Sequence, residues 1–227
     1  MLGGTHLTNP VAARPTSLGQ HPRWVIFVHG FGGHRGNFLP MRSYFHWRGQ
    51  TATVSVGFRQ NQSIESMAEE LRGLLWRWIE EAPSAHLTFD LVGHSMGGIL
   101  CRLVLEDPEL AQHIRHIITL ATPHRGTLLA RFLDTAKTQQ LRPDSALLQQ
   151  LAAQEPWQNS PSVPSITCFW SPDDLIVMPA DSALIEGATN ECRPGTTHLG
   201  FLVQPSMWQE VYERLEAKPT RLRLLPP

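Results

Sequence analysis

Apolar positions along this chain gather in two kinds of run that alternate. Trp24 to Val28, Thr51 to Val56, Leu87 to Val92, Ile114 to Leu120 and Ser165 to Trp170 are short and nearly continuous, as in strands buried on both faces. A weaker sixth strand is expected through Ala188 to Arg193. Between these runs the period lengthens. From Ser63 to Ala82, the residues Ile64, Met67, Ala68, Leu71, Leu74, Leu75, Trp78 and Ile79 recur at three- and four-residue steps, which predicts a helix capped by Ser63 and stopped by Pro83. A second helix is predicted after Pro205, with Ser206 and Gln209 at capping-box spacing and Met207, Trp208, Val211, Tyr212 and Leu215 on one face. Strands alternating with helices predict an α/β fold: a mostly parallel central sheet with helices on both faces.

Two stretches break the alternation. Residues 1–22 hold Gly3, Gly4, Pro10, Pro15 and Pro22 with little periodicity, and are expected to run over the surface or stay mobile. The folded domain is then expected over residues 23–227. Between Pro123 and Pro164 lie two apolar clusters, Leu128 to Leu133 and Leu147 to Leu151, joined through Arg142, Pro143 and Asp144. They predict a short helical insertion over about residues 127–163, in which Leu128, Leu129, Phe132 and Leu133 read as core packing, with the apolar underside of a lid as the alternative.

Charge and composition narrow the function classes. Nineteen Lys and Arg stand against twenty Asp and Glu, for a net charge of −1, with no basic stripe to follow a phosphate backbone. Nucleic acid is therefore not an expected partner. No stretch reaches the ~18 to 20 apolar residues that cross a bilayer, and the first residues lack the pattern of a secretory signal, so a soluble, cytoplasmic protein is expected. Cys101, Cys168 and Cys192 lie far apart and are expected as buried thiols in a reducing compartment. No H-E-x-x-H, Cys pair or dinucleotide G-x-G-x-x-G is present, and no metal or cofactor is expected. Oligomeric state is not written in the pattern.

The candidate chemistry begins at Gly93-His94-Ser95-Met96-Gly97-Gly98, a G-x-S-x-G segment directly after a predicted strand and before a helical stretch. A serine at such a turn is held clear of the backbone in a strained conformation, with small neighbours allowing close chain approach. Taken alone, the motif is also a Gly-rich turn with an incidental serine; the flanking strand and helix favour a nucleophile. Val28-His29-Gly30-Phe31-Gly32-Gly33 similarly runs a strand into glycines, and the main-chain N–H groups of Phe31 and Met96 are the candidate oxyanion donors. The order Ser, acid, His then restricts the partners. Ser171-Pro172-Asp173-Asp174 follows the fifth strand, and both aspartates are candidates, either of which also suits turn capping. Of eleven histidines, only His198 lies beyond that loop, and it is the candidate base. His29 and His94 are expected to shape the substrate site and His124 to line its entrance. Asp90, Asp107 and Asp134 read as ordinary surface groups.

Together with Leu120-Ala121-Thr122-Pro123-His124-Arg125-Gly126-Thr127 and Thr197-His198-Leu199-Gly200, these segments resemble the small lipases and esterases of the α/β-hydrolase superfamily. The resemblance runs from Trp24 to about Leu215. It implies the α/β-hydrolase fold and a carboxylic ester hydrolase working through an acyl-enzyme. In that family the acid stands two residues before an Ile-Val pair, which selects Asp174 and gives the triad Ser95, Asp174 and His198. The Ala-Thr-Pro-His-x-Gly segment is similar to lipases and to deacylases of lipid-anchored molecules, and implies a small-molecule or lipid ester as substrate. Acyl transfer, thioester cleavage and a non-catalytic binding role on the same fold are the alternatives.

Overall fold

The computed structural model describes residues 21–59, 62–153 and 164–217. The leader expected to be mobile, apart from His21 and Pro22, lies outside the described residues, as does 154–163 of the expected insertion. Six strands form one parallel sheet: β1 Arg23–Val28, β2 Thr53–Val56, β3 Thr88–His94, β4 Ile114–Leu120, β5 Ser165–Trp170 and β6 Thr189–Cys192. Their order is β2-β1-β3-β4-β5-β6. Among the described residues the first strand, β1, lies one place in from an edge; the next, β2, forms that edge, and β3 to β6 extend the sheet on the other side of β1. Strand order therefore reverses between β1 and β3, and loops leaving the carboxyl ends of that pair diverge to leave a crevice. Register aligns Val28 with Gly93, and His94 with Leu120, so these strand ends sit at one level.

Side-chain alternation divides the core. Ile26, Val28 and Leu91 point to the face covered by α2 (Ile64–Glu81) and α3 (Met96–Leu103), where Leu71, Leu75, Ile99 and Leu100 are fully buried. Val25, Phe27 and Val92 point to the opposite face, under α1 (Leu39–Trp47) and the terminal helix α8 (Pro205–Glu216), with Met41, Phe45, Val211 and Leu215. Each such side chain contributes about 1.5–3 kcal/mol on burial. Helix α2 starts as its sequence dictates: Ser63 Oγ accepts the Ser66 N–H at 3.1 Å, and the helix ends at the residue before Ala82-Pro83. Four short helices complete the chain order: α4 Pro108–Ala111, α5 Ala136–Gln140, α6 Ala146–Ala153 and α7 Gly200–Val203. Among the described residues no helix is long and apolar enough to cross a membrane.

Four expectations need correction. Helix α8 begins at Pro205 after Gln204, so Ser206 lies inside the first turn and caps nothing; proline's fixed φ suits that first position better than a capping hydroxyl one residue later. Asp90 is not a surface group: it is fully buried on β3, takes a hydrogen bond from Arg23 Nε at 2.5 Å and has His116 Nδ1 at 3.3 Å. Cys192 is exposed, because it ends the edge strand, while Cys101 and Cys168 are buried. Finally, Leu147, Leu148 and Leu151 do enter the core, but Leu128, Phe132 and Leu133 face outward with Phe132 82% exposed. A single 3-10 turn at Leu128–Arg131 is too short to present one consistent inner face.

Candidate active site

Ser95 stands between the last residue of β3 and the first of α3, with φ +55° and ψ −128°. Few side chains tolerate that conformation, and it persists because the surroundings over-determine it. The Ser95 N–H donates to Leu120 O at 2.8 Å across the sheet, and Ser95 O accepts the Gly98 N–H at 3.0 Å. The turn needs glycines on both sides. A Cβ on Gly93 would lie 2.5 Å from Gly98 Cα, and one on Gly97 only 2.1 Å from Val28 O. These contacts seat the nucleophile turn on the end of β1. The loop after β1 then passes beside the hydroxyl, since a Cβ on Gly30 would lie 3.3 Å from Ser95 Oγ. Met96 opens the first turn of α3, so its N–H has no intrahelical acceptor and stands at the positive end of the helix. Phe31 is part-exposed in the facing loop.

The loop after β5 carries the candidate acid. Asp174 is 3% exposed; its Oδ1 accepts the N–H groups of Ile176 at 2.8 Å and Val177 at 3.1 Å. Its Oδ2 accepts from His198 Nδ1–H at 2.8 Å. Burial pushes the Asp174 carboxyl up, but the His198 hydrogen bond and charge, with the two backbone amides, outweigh it and hold the carboxyl below its ordinary value. With Nδ1 donating, the uncharged His198 ring keeps a lone pair on Nε2 to take a proton. Asp173 does a different job, accepting the Gly195 N–H at 2.6 Å and so fastening the loop on which His198 rides. Thr127, overlooked in the sequence, ties down the acid loop: its Oγ1 donates to Ile176 O at 2.7 Å and accepts the Met178 N–H at 3.1 Å.

His198 meets the serine turn through His94, whose Nε2 lies 2.9 Å from His198 O, with ring centroids 4.7 Å apart. Among the described residues no hydrogen bond joins Ser95 Oγ to His198 Nε2; the His94 ring and the His198 main chain link the two segments. His29 is buried, donates Nδ1–H to Gly30 O at 2.9 Å, and has its basicity lowered by burial. His124 requires correction. It is 1% exposed and does not line an entrance: Nδ1 accepts from Arg102 at 3.3 Å, leaving Nε2–H for Thr119 Oγ1 at 3.0 Å. Burial beside the Arg102 charge holds it neutral. Arg102 on α3 and Thr119 on β4 hold this ring in the interior between that helix and the sheet.

A cavity of about 460 Å³ borders the serine turn through Gly30 and Met96, with His29, Phe31, Arg59 and Lys137 also on its walls. It adjoins the loop of Gly30 to Gly33 after β1, and Ser95 is not among its lining residues. Exposed apolar side chains flank the site on one edge. Leu175, Ile176 and Met178 follow the acid, Leu199 follows His198, and all four are exposed. Leu128 joins that edge directly, its N–H donating to Met178 O at 2.8 Å. Among the described residues no cluster of His, Cys, Asp and Glu is arranged to hold a metal ion.

Comparison with known proteins adds three findings. Residues 59–185, more than half of the chain, match the family model described as the PGAP1-like alpha/beta domain. Lipase B of Aspergillus fumigatus superposes with a TM-score of 0.75 at 20% identity, covering 96% of this chain and 61% of that one. The mature lipase BlEst2 of Bacillus licheniformis gives 0.70 at 17% identity, covering 91% and 98%. At such identities the likeness is one of fold. A GPI inositol-deacylase of Drosophila melanogaster is 58% identical over 33 residues, which are 14% of this chain and 3% of that protein.

Proposed function

Since the chain belongs to the PGAP1-like alpha/beta domain family and has the α/β-hydrolase fold, we propose that it is a serine hydrolase of carboxylic esters with the triad Ser95, Asp174 and His198. The observation that supports this reading is the Asp174–His198 pair at 2.8 Å, whose His198 carbonyl lies 2.9 Å from the ring of His94, the residue before a serine of positive φ at the switch point of the sheet. On this reading Ser95 Oγ attacks the acyl carbon while His198 Nε2 takes its proton. The Phe31 and Met96 N–H groups receive the negative charge that moves onto the carbonyl oxygen. Collapse of the tetrahedral species breaks the ester C–O bond, and His198 returns the proton to the departing alcohol. Water then attacks the acyl-enzyme by the same route and frees the acid. Asp174 stays ionised throughout and stabilises the imidazolium.

The apolar edge of Leu128, Leu175, Ile176, Met178 and Leu199 favours lipid-like acyl esters over small polar ones. A second reading, removal of an acyl group from a lipid anchor, is favoured by the short stretch shared with the deacylase. The direct test is hydrolysis of p-nitrophenyl esters of graded chain length, alongside labelling by a fluorophosphonate. Ser95→Ala is expected to abolish labelling and to lower kcat/KM by at least about 10³-fold. Equal turnover by the native protein and the variant, or no labelling of the native fold, overturns the reading in favour of a binding protein.

A further inference from the structure

We propose that His94 is a positioning residue of this site, its Nε2–H gripping the main-chain carbonyl of His198 so that the base stays beside the Ser95 turn. The inference rests on the hydrolase reading above. A carbonyl oxygen only accepts, so the 2.9 Å contact between His94 Nε2 and His198 O assigns the proton to Nε2. His94 is well placed to be an anchor. It is the last residue of β3, in register with Leu120, and is 5% exposed. It is also bonded to Ser95, so nucleophile and base share one fixed point in the sheet.

The His198 segment needs such an anchor. It belongs to no strand; it follows Gly195, whose φ is +78°, and precedes Leu199, which is 62% exposed. Asp173 holds it at Gly195 and Asp174 holds the imidazole at Nδ1, but neither fixes the peptide of His198 itself. Without the His94 donor the ring is free to swing about its contact with Asp174, and the carbonyl loses its partner. The grip is stable to protonation. Burial, reinforced by the neighbouring His198, lowers His94 to about 3. The titratable groups that face it are His198, Asp174 and His29, and the carboxylate is outweighed.

Two substitutions separate the grip from the packing. His94→Phe keeps a ring against His198 and removes the donor; His94→Gln offers an amide N–H at similar reach. His94→Phe is expected to lower kcat on p-nitrophenyl butyrate by about 10- to 100-fold with KM within about threefold, and His94→Gln to recover to within about fivefold of the parent. A His94→Phe enzyme within about twofold of the parent, or a His94→Gln enzyme no better than His94→Phe, overturns the proposal. Should His94→Phe fail to fold, ¹⁵N NMR of the unaltered protein decides: the His94 ring is expected as the Nε2–H tautomer without titration between about pH 5 and 8. An Nδ1–H tautomer overturns it, because that ring offers Nε2 to the His198 carbonyl only as an acceptor. The Ser95→Ala control reports separately on the hydrolase reading.

Discussion

Asp173 and Asp174 are adjacent, chemically identical and both engaged, yet they act on different atoms of the same loop. Asp174 reaches the His198 ring and Asp173 the Gly195 amide. Replacing each by asparagine therefore has distinct expected outcomes. Asp174→Asn keeps the shape but removes the charge that stabilises an imidazolium and presents the ring with a donor or a weaker acceptor. A loss of about 10³- to 10⁴-fold in kcat on p-nitrophenyl butyrate is expected. Asp173→Asn still offers Gly195 a carbonyl oxygen, and a loss below about tenfold is expected. Steady-state kinetics on the two variants checks the assignment, and equal losses would show that both residues serve only the loop. At this scale the sequence was informative about residue type and chain order, but two neighbouring aspartates could be told apart only by resemblance. Which carboxylate turns inward depends on the Ile176 and Val177 amides, and that geometry has no signature in spacing.

The elements were more legible than their partners. Ile114–Leu120 and Ser165–Trp170 run as their apolar pattern predicts, because strands buried on both faces need nearly continuous hydrophobic runs. What periodicity left out is what the far side of a contact supplies. Asp90 reads as polar and therefore exposed, but Arg23 and His116 come to it from the neighbouring strands β1 and β4, across 67 and 26 residues of chain. The glycines show the same divide. Gly73 and Gly97 are both helical, yet a Cβ on Gly73 meets nothing within 4 Å while one on Gly97 meets Val28 O at 2.1 Å. Gly73→Ala in the exposed side of α2 is expected to raise stability by about 0.5–1 kcal/mol and leave activity alone. Gly97→Ala must push α3 away from β1. A loss of several kcal/mol, or of fluorophosphonate labelling in whatever remains folded, is expected. Urea unfolding of both variants measures the contrast, and a Gly97→Ala protein as stable and reactive as the parent would mean that the close approach to Val28 does not hold the Ser95 turn.

For the whole molecule, the same burial that builds the site makes folding sensitive to acid. His29, His94 and His124 are buried with their basicity lowered, His94 to about 3, while the unfolded chain offers histidines near 6.5. Below pH 6.5 the unfolded state gains protons that the folded state refuses, so stability falls as pH falls and is fully present only above that value. Each such histidine adds a slope of up to about 1.4 kcal/mol per pH unit, and for His94 the slope persists down to its folded value. Asp174 extends the loss at the acid end. Its carboxyl is held below the ordinary range in the fold, so its contribution is present above the unfolded carboxylate value and disappears as pH falls through the lower, folded one. The urea midpoint is therefore expected to be level above pH 7 and to drop steadily from about pH 6 to 4, before most carboxylates titrate. His94→Gln is expected to flatten that drop by removing one refused proton. A midpoint that holds level to pH 4 in the parent would mean that these rings accept protons in the folded state and that burial does not keep them neutral.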